Sequence, residues 1–422
     1  MKIALMTNNY KPFVAGVPIS IERLKRGLIN LGHQVTVFAP TYDEQEYEEG
    51  CFRYSSITRK FIGGVVLPNP LDKRIEQEFR KGQYDIIHVH HPMLIGKTAV
   101  HLSKKYNIPL TFTYHTRYEQ YLSYVKGIRV LEQGAAYGKG RSSHMKKRLL
   151  YKIRENLVPA YLQSFFSHCH HVFVPTAGMQ EYLISHSSLE PGQIDILPTG
   201  IEAHHYQVTA EESDSVRERY HARNIPLFLT VARMSHEKNI QFLIESIAGF
   251  KKCFQKPFRV LMIGDGPDRL VYEEMCRQLN IEEEVVFTGK IPNEEIAPYY
   301  KAADAFLFAS KTETQGIVIA EAFAGATPVI ALNASGISDL VVNGYNGYLC
   351  PEDMDIFINT IMDFLLYSDK REALAAGALE TAANYREEAV ALRAGSIYNR
   401  VIGEFHDTEC KKQRMPQLRL LT

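Results

Sequence analysis

Ala305-Phe-Leu-Phe-Ala309, Ser310-Lys-Thr-Glu313-Thr-Gln-Gly316, Ile317-Val-Ile-Ala-Glu321-Ala-Phe-Ala-Gly325-Ala-Thr-Pro328 and Val329-Ile-Ala331 follow one another without a break. The first run is apolar without alternation, as a parallel strand covered on both faces requires. A polar turn follows from Ser310 to Gln315. Gly316 opens a helix-like run to Gly325, Thr327-Pro328 stops it, and Val329 to Ala331 reads as the next strand. Glu313 is thus expected at the carboxyl end of a strand and Glu321 about one turn into the helix after it.

Glu321 stands among Ile317, Val318, Ile319, Ala320, Ala322, Phe323 and Ala324. A carboxylate in such surroundings costs several kcal/mol unless it is paired or hydrogen-bonded. A purely structural role, capping amides or meeting a hidden arginine, is one reading. Glu313 by itself reads as a solvated loop carboxylate. Together, at the carboxyl edge of a parallel sheet and beside a helix N-terminus, they are placed to hold hydroxyls. The amides of Thr314, Gln315 and Gly316, with Ile317 behind them, are left for an anion.

The spacing Glu313-x7-Glu321 before a Pro-Val-Ile strand resembles the donor site of retaining nucleotide-sugar glycosyltransferases of family four. The resemblance implies an α/β protein of two Rossmann-like domains, the GT-B architecture, facing across a cleft, with a C-terminal helix crossing back. In that family the first Glu contacts the transferred sugar and the second the nucleotide ribose. The family usually ends this helix in Cys-Gly before Thr-Pro, whereas this chain has Gly325-Ala326.

At 422 residues and 45% hydrophobic content the chain can bury two cores. Forty-eight basic and 48 acidic residues give zero net charge, which argues against a general polyanion binder and so against nucleic acid. Six cysteines without Cys-x-x-Cys spacing suit a reducing compartment. Met1-Lys-Ile-Ala-Leu-Met reads as a strand rather than a signal peptide, and no run approaches the roughly 18 apolar residues of a membrane span. A cytoplasmic protein is expected.

The first half alternates strands and helices. Ile3–Met6 is a strand, Thr7 to Pro18 a loop containing Gly16, and Ile19–Leu31 a helix ended by Gly32. Strands end at His88-Val-His90-His91 and at Thr113-Tyr-His115-Thr116. The histidine triplet lacks a local Asp, Glu or Cys, so a polar cluster at the sheet edge is favoured over a metal. His115, directly after a strand, stands where open α/β sheets place ligands, though a hydrogen-bonded edge histidine would look the same. By the resemblance, Gly16 approaches donor phosphates and acceptor, and His115 faces the transferred sugar.

The alternation then breaks. Tyr118, Tyr121 and Tyr124 precede a basic stretch containing Lys146, Lys147, Arg148, Lys152 and Arg154. From Ser142, a possible N-cap, Met145, Leu149, Leu150, Ile153 and Leu157 recur at helical spacing. A basic amphipathic helix is a docking signal for anionic membranes, and equally describes a core helix with a basic wet face.

In the second half, Glu202 to Asn224 is polar and reads as a linker, which sets the domains at 1–205 and 206–397, with the crossover helix at about 398–422. Strand Leu227–Val231 leads to Arg233 and Lys238, two cations able to converge on one anion. Strand Arg259–Ile263 ends in Gly264-Asp-Gly266, and Val285 to Pro292 forms a strand and turn containing Gly289 and Ile291. By the resemblance, Arg233 and Lys238 clamp the donor diphosphate, Gly264 and Gly266 let backbone approach it, and Gly289 and Ile291 contact the base.

The resemblance implies hexose transfer, with retention, from a nucleoside diphosphate sugar (a UDP-sugar) to an acceptor hydroxyl. Cationic side chains can neutralise the leaving diphosphate, so no metal and no cofactor is expected. The stretch Tyr114 to Tyr124 with the basic helix resembles bacterial diacylglycerol glucosyltransferases, which implies diacylglycerol or another membrane lipid as acceptor and peripheral contact at the inner face of an anionic membrane. The alternatives are a soluble acceptor such as an aminocyclitol, a sugar phosphorylase or hydrolase of similar fold, and a donor-binding protein without turnover.

Overall fold

The computed structural model describes residues 1–58, 65–118, 141–311 and 313–418. The chain divides into two compact units, Met1–Leu197 with Ala391–Thr422, and Pro198–Val390. The expected boundary at 205/206 therefore falls inside the second unit. Ile201 is the reason: it is buried in that unit's core and its backbone bridges to Arg386. The stretch expected as a linker is folded as well. It forms helices Ala203–Tyr206 and Ala210–Arg219, the latter closed by a capping box between Thr209 and Glu212. Val208 and Val216 are buried there, so the polar composition is the wet face of a short helix.

The first unit contains β1 (Lys2–Met6), β2 (Gln34–Pro40), β3 (Cys51–Tyr54), a small antiparallel pair β4 (Ser56–Thr58) and β5 (Leu67–Pro68), then β6 (Ile86–Val89), β7 (Leu110–Thr113), β8 (His171–Val174) and β9 (Ile194–Ile196). Seven of these form a parallel sheet in the order β3-β2-β1-β6-β7-β8-β9. β6, β7 and β8 are buried at every position, as a sheet covered on both faces requires, although Leu110-Thr-Phe-Thr113 alternates and β6 and β8 each carry a histidine. The first helix is Gly16–Asn30, three residues longer at its start than expected, and Gly32 beyond it takes φ +83°. The helix Glu387–Leu418 carries the chain from the second unit into the first, where Tyr398 is buried and Arg400 pairs with Asp195.

The second unit repeats the plan with β10 (Leu227–Val231), β11 (Arg259–Ile263), β12 (Val285–Gly289), β13 (Ala305–Phe308), β14 (Val329–Leu332) and β15 (Gly347–Cys350). Its parallel sheet runs β12-β11-β10-β13-β14-β15. Chain order reverses between β10 and β13, which pair directly, Phe228 with Ala305 and Leu229 with Phe306. Helix Ile317–Ala324 follows β13 and is buried from Ile319 to Ala324, because it has no polar face to offer water. Among the described residues no helix is long and apolar enough to cross a membrane.

Candidate active site

Strand order reverses between β10 and β13, and doubly wound sheets bind ligands at the carboxyl ends of the strands beside such a reversal. The loop after β10 carries Arg233 and Lys238; the loop after β13 carries Glu313. These residues, 75 apart in sequence, meet: Lys238 Nζ lies 2.5 Å from Glu313 Oε1, with side-chain exposures of 20% and 14%. Each charge so far out of water needs its partner, since an unpaired one would carry the desolvation cost alone. A 3-10 turn, His236–Lys238, presents the lysine, with its amide bonded to Ser235 O at 3.0 Å. Arg233 is exposed.

Glu321 is 5% exposed, and its Oε2 accepts a 2.9 Å hydrogen bond from Tyr300 Oη. Tyr300 is fully buried on helix Ala297–Ala302, so a hydroxyl answers the demand that the apolar sequence around Glu321 created. Sequence reasoning missed Tyr300; its apolar setting, Tyr299-Tyr300 before Ala302-Ala303, gave no cue to a polar duty. The departure at Gly325-Ala326 has physical content here. A Cβ at Gly325 would sit 3.1 Å from Tyr300 Cβ, so the glycine allows the two helices to approach closely. Ala326 takes φ +60°, a left-handed conformation that glycine holds at lower cost.

Gln315 is buried, and its carboxamide faces another segment of the unit. Thr199 N donates to its Oε1 at 2.9 Å and its Nε2 donates to Thr199 O at 3.4 Å. Its side chain is thus committed to anchoring residues 198–201, and only its backbone faces the role expected of it. Gly316 caps the helix at φ +68°, with Thr314 and Ile317 half-buried beside it. Gly264 (φ +130°) and Gly266 admit backbone, but that of the β10 loop. A Cβ at Gly264 would lie 2.0 Å from Ala232 O, and one at Gly266 2.2 Å from Met234 O. The glycines therefore fix the loop that carries Arg233 and Lys238. Gly289 takes φ +78°, and Ile291 packs against the core.

In the first unit, His115 Nε2 is 2.8 Å from His90 Nδ1, and the two rings stack with centroids 5.1 Å apart. The histidine cluster is not confined to the sheet edge. His88 is fully buried within the sheet, bonded to Tyr398 Oη and Thr113 Oγ1 at 2.6 Å each. His91 Nδ1 lies 3.2 Å from both Thr7 Oγ1 and Asn8 N, tying β6 to the loop that leads to Gly16. Burial holds all four neutral: His88 is pushed down to about 3, His91 to about 4, and His90 and His115 well below the usual range. A neutral His115 can donate or accept one hydrogen bond but adds no charge.

Tyr118 packs edge-on against Tyr114, ring centroids 5.7 Å apart, at the margin of the core. Tyr121 and Tyr124 lie outside the described residues. The basic stretch forms helix Arg141–Lys152, a wider turn at Ile153–Leu157 and helix Val158–Phe166. On the first helix and the turn, Met145 is 73% exposed, and Leu149, Tyr151 and Leu157 are exposed too, whereas Ile153 packs against the core, as do Val158, Leu162, Phe165 and Phe166 of the second helix. On the first helix Lys147 and Arg148 are exposed and Lys146 is half-buried.

The family model described as "Glycosyl transferases group 1" matches residues 213–381, and that described as "Glycosyltransferase Family 4" matches residues 14–205. An alpha-monoglucosyldiacylglycerol synthase of Acholeplasma laidlawii is 30% identical over 360 residues, 82% of this chain and 84% of that protein. The chain belongs to this glycosyltransferase family. A Streptococcus pneumoniae protein of the same name is 30% identical over 84% of this chain and 76% of its own length. Among solved structures, sucrose-phosphate synthase from Thermosynechococcus elongatus superposes with a TM-score of 0.72 at 21% identity, covering 96% of this chain and 99% of that one. Anabaena HepE in complex with UDP and glucose does so with a TM-score of 0.69 at 16% identity, covering 94% and 99%. These neighbours share the GT-B fold with this glycosyltransferase.

Proposed function

We propose that the glycosyltransferase moves a hexose, with retention, from a UDP-sugar to the hydroxyl of diacylglycerol or another membrane lipid. The observation that carries the donor half is the pairing of Lys238 with Glu313 at the strand-order reversal, with the buried Glu321 one turn into the helix that follows. In this reading Lys238 and the exposed Arg233 neutralise charge on the departing diphosphate, where electrostatic stabilisation contributes most. Glu313 and Glu321 accept hydrogen bonds from sugar and ribose hydroxyls. The acceptor oxygen bonds to the anomeric carbon on the face the leaving group departs from. The bond from that carbon to the phosphate oxygen breaks, and a donor phosphate oxygen takes the acceptor proton. His115, held by His90, offers the sugar a neutral contact.

Two observations support the lipid acceptor: the two relatives at 30% identity are alpha-monoglucosyldiacylglycerol synthases, and the helix Arg141–Lys152 exposes apolar and basic residues. Incubation with UDP-glucose and diacylglycerol in mixed micelles, beside a panel of soluble alcohols, tests both halves. An α-linked glycolipid is expected. Transfer only to soluble alcohols overturns the acceptor, and a β-linked product overturns retention.

A further inference from the structure

Glu202-Ala-His204-His205 brings three candidate ligands, a carboxylate and two imidazoles, to one place in the second unit. Glu202 stands extended (φ −68°, ψ 149°) immediately before helix Ala203–Tyr206, which raises both imidazoles toward its side chain. One ligand atom from each of Glu202, His204 and His205 lies within 4.8 Å of the others. The two imidazole rings are 4.4 Å apart, and His205 is buried with its ring 6.1 Å from that of Tyr300.

The surroundings orient this set as a metal site is oriented. Asn293, 91 residues on, donates from Nδ2 to Glu202 Oε2 at 2.7 Å. Its backbone carbonyl lies 3.3 Å from His204 Nε2. A carbonyl only accepts, so that nitrogen carries the proton and Nδ1 carries the lone pair. Ligating histidines characteristically donate their outer nitrogen to a carbonyl, and ligating carboxylates are themselves hydrogen-bonded; Asn293 supplies both partners.

We infer that Glu202, His204 and His205 form a binding site for a divalent transition metal of the zinc class, with Asn293 as its outer support. Two imidazoles and a carboxylate suit Zn2+, with water completing a tetrahedron. Bonds of about 2.0–2.1 Å set ligands roughly 3.3 Å apart, so the side chains must close by about 1.5 Å. Glu202 and His204 are half-buried and have room to turn. The metal would pin the turn Glu202–His205, which Asn293 already ties to the loop after β12. None of Glu202, His204 and His205 takes part in the proposed reaction, and the inference does not rest on it.

The test uses untagged full-length protein stripped with EDTA and titrated with Zn2+ against a chromogenic chelator. One equivalent should bind, and Co2+ in its place should give the intense visible bands of a low-symmetry site. Glu202→Gln and His204→Ala should each weaken binding at least 100-fold. Asn293→Leu, which keeps all three ligands, should weaken it about 10–100-fold. Zinc should raise the melting temperature of the wild type but not of Glu202→Gln. Circular dichroism of the metal-free variants establishes that they are folded. No zinc retained by the wild type overturns the site. Equal binding by wild type and folded variants also overturns it, assigning the metal to others among the sixteen histidines.

Discussion

Replacing Lys238 by Ala separates the two things this lysine is placed to do. Structurally it would strand Glu313, whose side chain is 14% exposed and whose Oε1 the ammonium meets at 2.5 Å. An exposed pair contributes about 0.2–1 kcal/mol, and breaking a fully buried one costs about 3–5 kcal/mol. With both side chains mostly but not wholly buried, the expected loss of stability is about 1–3 kcal/mol, read from urea denaturation. Chemically, removing a charge that meets developing negative charge lowers kcat about 100–1000-fold, as the loss of one such group does elsewhere. The donor Kd should change less than about tenfold, because the charge being met grows in the transition state. The control is the double variant with Glu313→Gln. If Lys238 has its own role on the leaving group, the double variant is slower than Glu313→Gln alone. If the two have equal kcat, Lys238 only positions Glu313. Activity of Lys238→Ala within a few-fold of wild type refutes the clamp.

Glu321→Gln should weaken UDP-sugar binding by about 1–2 kcal/mol in calorimetry, since an amide holds hydroxyls less strongly than a carboxylate; unchanged affinity would make Glu321 structural. Ala326→Gly should stabilise the protein by about 0.5–1 kcal/mol, because φ +60° is costly for alanine, less what glycine gains in the unfolded chain; a lower denaturation midpoint would contradict this. Stability should fall as pH drops from 6.5 toward 5. His88, His90, His91 and His115 are held neutral by burial, whereas the unfolded chain takes up their protons near 6.5. The contribution is therefore complete above 6.5 and lost below it, at up to about 1.4 kcal/mol per pH unit for each histidine, so a flat urea midpoint across that window rejects it. Binding to liposomes should rise with anionic lipid, fall with salt, and drop when Lys146, Lys147 and Arg148 become Ser, each charge contributing about 1 kcal/mol near the surface; wild type left in the supernatant at every composition removes the membrane from the proposal.

Much of the site was legible because its parts are local. Unalternating apolar runs specify strands buried on both faces, and a residue directly after such a strand lies at the carboxyl edge of the sheet. That reasoning placed Glu313, Lys238 and His115 at strand ends. It misjudged 202–224, where polar residues hid a capped helix that buries Val216 and is tied down through Arg217 to Asp304 and Arg219 to Tyr299. It also read the basic helix two ways, because periodicity reports which residues share a face and not what covers that face.

The sequence by itself determined the alternation of strands and helices, the two-unit plan and the carboxylates at the end of β13, since each follows from backbone preference and burial within a short window. The tertiary structure alone decided partners. Lys238 meets Glu313 across 75 residues, Tyr300 meets Glu321, His90 meets His115, and Asn293 meets both Glu202 and His204. Spacing along the chain carries no information about such pairs. They depend on which strands become neighbours in the sheet, and β10 pairs with β13 only because the chain reverses its strand order there. A buried polar atom requires some partner, and the packing of the whole unit determines which residue supplies it.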